Sequence, residues 1–172
     1  MNLIDEIQNC QLCPLRNQIP DCCTPVPGKG RVNATLMFIG EAVNETDVMV
    51  GEPYVCKNGQ LLYTILKDTE ISPDDVYMTN LIKCSGKISS KTLQKCSGWL
   101  LKEIAHISPS GLILSGKKVT EYFKIDYTEN LYKVVDNKLI IPSLHKLLMG
   151  SSKDLIKTKK GIKEFYGISK KR

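Results

Sequence analysis

The sequence predicts an α/β fold: a three-layer α/β/α arrangement around a central, mainly parallel four-stranded sheet. Short apolar runs that end in glycine or a polar residue alternate with longer stretches whose apolar residues recur at helical spacing. Strands separated by helices need crossover connections, and these place helices on both faces of a parallel sheet. With 172 residues and 42% apolar content the chain has side chains for one sizeable core. Residues 1–172 are therefore expected to form a single domain, with a cysteine-bearing N-terminal arm over 1–34 and a basic C-terminal helix or tail over 151–172.

Leu3 to Asn9 reads as a short helix, and the stretch from Cys10 to Arg31 as a loop punctuated by Pro14, Pro20, Pro25, Pro27, Gly28 and Gly30. Thr35-Leu-Met-Phe-Ile-Gly40 is a short apolar run of the kind buried in parallel sheets. Gln60 to Lys67 is helical by its apolar spacing, and Val76 to Asn80 is a second strand. Leu93 to Ile107 carries a helical pattern around Trp99 and is stopped by Pro109. Leu112 to Gly116 is a third strand, Lys117 to Phe123 a helix, and Lys138 to His145 a fourth strand running into a loop.

In open parallel sheets the functional crevice lies at the carboxyl ends of the strands. That rule selects Glu41 after the first strand, Asn80 at the end of the second, Ser115 and Gly116 at the end of the third, and His145 after the fourth. A carboxylate, an amide and an imidazole on one rim are the ingredients of an active site.

Seven cysteines in an intracellular chain read as metal ligands or buried thiols before disulfides. Cys10 and Cys13 form a Cys-x-x-Cys, and Cys84 and Cys96 are two later partners able to complete a tetrathiolate centre. Spacing alone leaves zinc and an iron–sulfur cluster both open. Cys22, Cys23 and Cys56 are expected to be ordinary buried thiols. His106, near the end of its helix, is expected to face solvent or cap the helix end.

The acidic start, Met1-Asn-Leu-Ile-Asp-Glu-Ile, is unlike a signal peptide, and no apolar run reaches membrane-spanning length, so a soluble intracellular protein, a monomer, is expected. The formal charge of +6 resides entirely in residues 151–172, which carry eight basic and two acidic side chains. A neutral body with a basic tail points to a polyanion, most simply nucleic acid. Lys153, Lys157 and Lys160 of that tail, with Lys146, are the candidate DNA contacts.

The run from Gly40 to Leu62, Gly-Glu-Ala-Val-Asn-Glu-Thr-Asp-Val-Met-Val-Gly-Glu-Pro-Tyr-Val-Cys-Lys-Asn-Gly-Gln-Leu-Leu, resembles without a gap the first motif of the family 4 uracil-DNA glycosylases, the iron–sulfur type. Val76 to Cys84 resembles their second segment, and Cys96 to Ile104 with Pro109 and Leu112 to Gly116 their third. Cys10 to Arg16 and Val26 to Gly30 are similar to the N-terminal arm of that family.

The resemblance implies hydrolysis of the N-glycosidic bond of deoxyuridine in DNA, and a structural 4Fe-4S cluster on Cys10, Cys13, Cys84 and Cys96, with zinc the less favoured occupant. It implies a substrate pocket of Gly40, Ala42, Asp47, Tyr54 and Asn80. Tyr54 stands where the family has a phenylalanine that stacks on the extruded base, and Asn80 at the amide that reads the Watson–Crick edge. Asp47 falls near C5 of the base, in place of a longer glutamate. Glu41 matches the carboxylate that positions water, and His145 the histidine that bonds O2 of the departing base.

Departures from the family pattern lie where DNA is gripped. Val43 and Asn44 replace a proline and a glycine, His145-Lys146-Leu147 replaces His-Pro-Ser, and Ser85 to Ser90 forms a shortened loop. These departures keep two other classes open: a non-catalytic DNA-binding or polymerase-accessory module on a glycosylase fold, and a glycosylase for a 5-substituted uracil.

Overall fold

The computed structural model describes residues 2–20 and 23–171. Cys22, expected to be a buried thiol, and Arg172, the last charge of the tail, lie outside the described residues. In chain order the elements are α1 (Leu3–Gln8), β1 (Leu36–Ala42), α2 (Glu45–Val50), α3 (Lys57–Asp68), β2 (Val76–Ile82), α4 (Ser90–Ile107), β3 (Gly111–Ser115), α5 (Lys117–Tyr122), α6 (Tyr127–Asn130), β4 (Val134–Val135), β5 (Lys138–Ile141), α7 (Leu144–Met149) and α8 (Ser152–Ser169). Pro14–Gln18 and Pro73–Asp75 add two turns of 3-10 helix.

The sheet has five strands in the order β2-β1-β3-β5-β4, where four were expected. The first four pair in parallel, and β4 adds an antiparallel edge on β5. The added strand comes from a hairpin, Val134-Val135-Asp136-Asn137-Lys138, in which Asp136 takes the left-handed conformation that a tight hairpin turn demands.

Alternation along the central strand builds the layers. Leu36 and Phe38 of β1 pack with Leu62, Ile65, Leu144, Ile162 and Phe165 from α3, α7 and α8. Met37 and Ile39 face the other way, into a core with Leu100, Ile107 and Val119 from α4 and α5. Every one of these side chains is at most 5% exposed, so both faces of β1 are sealed and its polar groups emerge only at its carboxyl end.

Serine and asparagine set the helix starts. Ser89 accepts from Thr92 N–H, Ser143 from Lys146 N–H and Ser151 from Asp154 N–H, satisfying donors that the first helical turn leaves unpaired. The Ser143 cap corrects one expectation: His145 stands in the first turn of helix α7, not in a loop. Asn44 likewise starts the short helix α2 with a reciprocal capping box to Asp47.

The N-terminal arm crosses the outer edge of β2. Val26 N–H donates to Lys83 O, Lys29 bridges Met78 antiparallel, and Gly28 N–H donates to Glu103 Oε1 at 2.7 Å. Glu103, fully buried on α4, also pairs with buried Lys83 and accepts from Thr79 Oγ1 at 2.7 Å. Unpaired, either charge would be very costly there; paired and hydrogen-bonded they join arm, strand and helix.

The basic tail is a core element. Helix α8 runs antiparallel to the strands, inserting Ile162 and Phe165 beneath the sheet, and Phe165 and Ser169 close on Gly111 at the amino end of β3. Its later lysines find acidic partners at that far end: Lys159 with Asp68, Lys163 with Glu70 and Lys170 with Asp75.

Candidate active site

The carboxyl ends of β1, β2, β3 and β5 open into one pocket of about 290 Å³. It is lined by Gly40, Glu41, Ala42, Asp47, Tyr54, Asn80 and His145, all seven of the candidate catalytic and base-binding residues, together with Phe38, Asn44, Cys56, Asn58, Ile88, Ser115, Ser143 and Leu144.

Glu41 follows the last fully buried residues of β1, and its Oε1 accepts from Lys118 N–H at the start of α5, at 3.0 Å. Gly116 makes this approach possible. Its φ of +105° is a backbone conformation that other residues rarely adopt, and a Cβ there would come within 2.8 Å of the carboxylate. No hydrogen bond occupies Glu41 Oε2 among the described residues. Tyr127 lies close enough that the Glu41 charge adds to burial in raising its phenol above the usual range.

Asn80 is 4% exposed and sits beside Gly40 in the β1–β2 register. Its Oδ1 lies 3.2 Å from the Tyr54 hydroxyl, while its Nδ2 is buried with no hydrogen-bond partner among the described residues. Such an orphaned donor costs roughly 1–3 kcal/mol unless something supplies an acceptor.

Tyr54 lies edge-to-face on Phe38 with ring centroids 5.6 Å apart, and its hydroxyl donates to Thr79 O at 2.9 Å. The residue adopts φ +62°, unusual for a bulky side chain. Asp47 holds that turn, accepting from Val55 N–H at 3.0 Å through Oδ1 and from Asn44 N–H at 3.3 Å through Oδ2. Both Asp47 oxygens are thus committed to backbone donors, which is what the loop uses in place of proline and glycine. Burial, with the Asp47 charge second, pushes the Tyr54 phenol well above its ordinary value, so it stays a donor.

His145 is exposed at the pocket mouth, and Lys146 follows it, also exposed. Cys56, expected to be buried, is partly exposed because it caps α3 on the pocket wall; Cys23 is buried as expected. His106 is exposed in the last turn of α4, away from this pocket.

The cationic side chains around the pocket were not apparent from net charge. Lys57, Lys87, Lys91, Lys118, Lys146 and Lys153 are exposed on loops and first helical turns at this end of the sheet, and none has an ion-pair partner among the described residues. Of the other tail candidates, Lys157 lies over the Tyr132 ring and Lys160 is 3.9 Å from Glu164.

Cys84 and Cys96 each lie within electrostatic reach of Cys10 and Cys13, where the arm, β2 and α4 adjoin. Burial, then the neighbouring Cys96, Cys13 and Cys10, raises the Cys84 thiol to about 12; burial raises Cys96 to about 11. Two sulfurs receive donors: Trp99 Nε1–H reaches Cys10 Sγ at 3.1 Å and Lys83 N–H reaches Cys96 Sγ at 3.3 Å. Arg16 lies near enough to Cys84 to oppose the rise, and its Nε is buried with no hydrogen-bond partner among the described residues. Among the described residues no three His, Cys, Asp or Glu side chains close on a point that would hold one metal ion.

The fold thus gathers polar groups at the carboxyl ends of parallel strands, with a thiol-rich corner beside them, an arrangement of the open α/β class. The sequence profile of the Uracil DNA glycosylase superfamily matches residues 27–165, and the chain belongs to that superfamily. It is 34% identical over 125 residues to a type-4 uracil-DNA glycosylase of Saccharolobus solfataricus, covering 70% of this chain and 56% of the relative. A type-4 uracil-DNA glycosylase of Archaeoglobus fulgidus is 27% identical over 135 residues, covering 74% and 66%. The one of Thermotoga maritima is 27% identical over 157 residues, covering 84% and 80%. The chain thus spans less than two thirds of the length of the first two. No helix among the described residues is long and apolar enough to cross a membrane.

Proposed function

We propose that this chain hydrolyses the N-glycosidic bond of deoxyuridine in DNA, acting as one domain. The observation that carries the reading is the buried Asn80 Nδ2, a donor with no partner among the described residues, belonging to a residue that lines a pocket with a carboxylate and an imidazole. Uracil offers O4 as an acceptor and N3–H as a donor, the complement of an amide that presents both groups. A pocket this size admits a single base only after it leaves the stack, a step that costs a few kcal/mol and favours mispaired or single-stranded sites.

Tyr54 presents its anchored ring to the base. Water adds at C1′ as the bond to N1 breaks, and the electron pair leaves with the uracil. Glu41, with one oxygen held by Lys118 N–H, positions the water, takes its proton and balances positive charge developing on the sugar. His145 donates to O2 of the departing anion.

The thiol corner suits a 4Fe-4S cluster. Its donors are all soft thiolates, two of them already receive N–H bonds of the kind that surround cluster sulfurs, and the orphaned Arg16 Nε would complement an anionic centre. Cys10, Cys13, Cys84 and Cys96 would hold it, and so held it would fasten the arm to β2 and α4.

DNA lies across the pocket rim, on the unpaired lysines from several loops. The test is release of free uracil from single- and double-stranded oligonucleotides, with hypoxanthine and 5-hydroxymethyluracil strands beside them. Release of uracil by wild type but not by Glu41→Gln supports the reading. Binding without release of any base would favour the non-catalytic module instead.

A further inference from the structure

The hydroxyl that distinguishes Tyr54 from a phenylalanine is placed against the base-reading amide. It lies 3.2 Å from Asn80 Oδ1 and 2.9 Å from Thr79 O, with the tyrosine 94% buried. Each element around it limits movement. The ring is set on Phe38. The left-handed backbone of Tyr54 is held by Asp47 Oδ1 through Val55 N–H, and Gly59 lies so close that any Cβ there would collide with the Tyr54 carbonyl. Gly40 supplies the space for the hydroxyl: a Cβ on it would strike both the phenol oxygen and Asn80 Oδ1.

We infer that the Tyr54 hydroxyl is a specificity latch, donating to Asn80 Oδ1 so that the side-chain NH₂ is held toward the base. This deepens the uracil reading above and rests on it. An asparagine amide can turn over, exchanging its donor and acceptor ends. With NH₂ facing the pocket, uracil O4 is accepted, whereas the amino group of cytosine meets a second donor. With the oxygen facing the pocket, the preference reverses. In the first orientation the phenol donates to the amide oxygen; turned over, the amide NH₂ would have to donate to the phenol oxygen instead, with the phenol proton given wholly to Thr79 O. Thr79 O shares that proton, so the latch is one arm of a forked bond. Asn80 Oδ1 keeps a lone pair for uracil N3–H. Tyr54 is in this respect a positioning residue, acting through Asn80.

Binding separates this role from turnover. Single strands carrying 2′-fluoro-deoxyuridine or 2′-fluoro-deoxycytidine resist hydrolysis, so affinity for each can be measured with wild type and Tyr54→Phe. Wild type should prefer the uracil strand, and Tyr54→Phe should shrink that preference by roughly three- to tenfold, the range of one neutral hydrogen bond. The ring remains in the variant, so weaker stacking would lower both affinities together and leave their ratio alone. An unchanged ratio in folded Tyr54→Phe overturns the latch while leaving the uracil reading intact; no preference in wild type overturns both. If Tyr54→Phe fails to fold, the wild-type protein decides: labelled Asn80 NH₂ protons should show no short proton–proton contact to the Tyr54 ring, and a strong one overturns the orientation.

Discussion

Two sets of lysines, equal in charge but at opposite ends of the sheet, make the DNA-binding surface testable. Replacing Lys87, Lys118 and Lys146 by alanine removes three cations from the pocket rim, none of them ion-paired among the described residues. Replacing Lys159, Lys163 and Lys170 removes three from α8 and its C-cap, each within 3.9 Å of Asp68, Glu70 or Asp75 near the amino end of the sheet. Both variants lose the same net charge, so a general attraction to polyanions would affect them equally. If each rim lysine neutralises one phosphate, the log–log slope of duplex affinity against salt should fall by about 0.9 per residue, about 2.7 for the rim variant. The α8 variant should keep the wild-type slope, since its lysines already have partners and face away from the pocket. Fluorescence anisotropy with a labelled duplex over a salt series reads both slopes. Equal slope losses would refute placement of DNA on the rim. A loss confined to the α8 variant would return the contact to the tail.

Protein purified without oxygen should contain about four irons per chain and be brown, as a tetrathiolate cubane requires; a colourless zinc protein would overturn the cluster. Trp99, the sole tryptophan, donates to Cys10 Sγ, so its fluorescence should be quenched in the iron-loaded protein and recover as chelator removes iron, with an emission unmoved by loading counting against the site. His145→Ala should lower uracil release by about 2.7–4 kcal/mol in activation free energy, as loss of one oxyanion donor does, and unchanged single-turnover rates would exclude it as the O2 donor. Glu103→Ala leaves Lys83 charged and 1% exposed, so urea unfolding should show a loss of about 3–5 kcal/mol; a loss below about 1 kcal/mol would mean the pair is not integral.

The strands and the rim were legible because their signals are local. Apolar runs such as Leu36 to Ile39 announce buried strands, and whatever polar residue follows them lands on the rim, which is how Glu41, Asn80 and His145 could be placed from one sequence. Shorter signals were present but outweighed. Asn44 three residues before Asp47 is a capping pair, Ser143 after Pro142 is a helix start, and Asp136-Asn137 between valines and an apolar run is a hairpin turn. Net charge hid the apolar stripe of the tail: Ile162 and Phe165 fix where α8 lies, and the lysines follow. The Lys83–Glu103 pair and the Tyr54–Asn80 contact depend on tertiary approach across 20 and 26 residues, which no local pattern announces.

The arm lying along β2 has a consequence for colloidal behaviour. A sheet ending in a bare strand invites other chains to add to it. One border of this sheet is β4, only two residues long and too short to template a partner. The other, β2, is seven residues of buried sequence, shielded where Lys29 bridges Met78 and Val26 bonds Lys83. Should the thiol corner release the arm, that border would be uncovered, and self-association through strand addition would follow before the rest of the fold is lost.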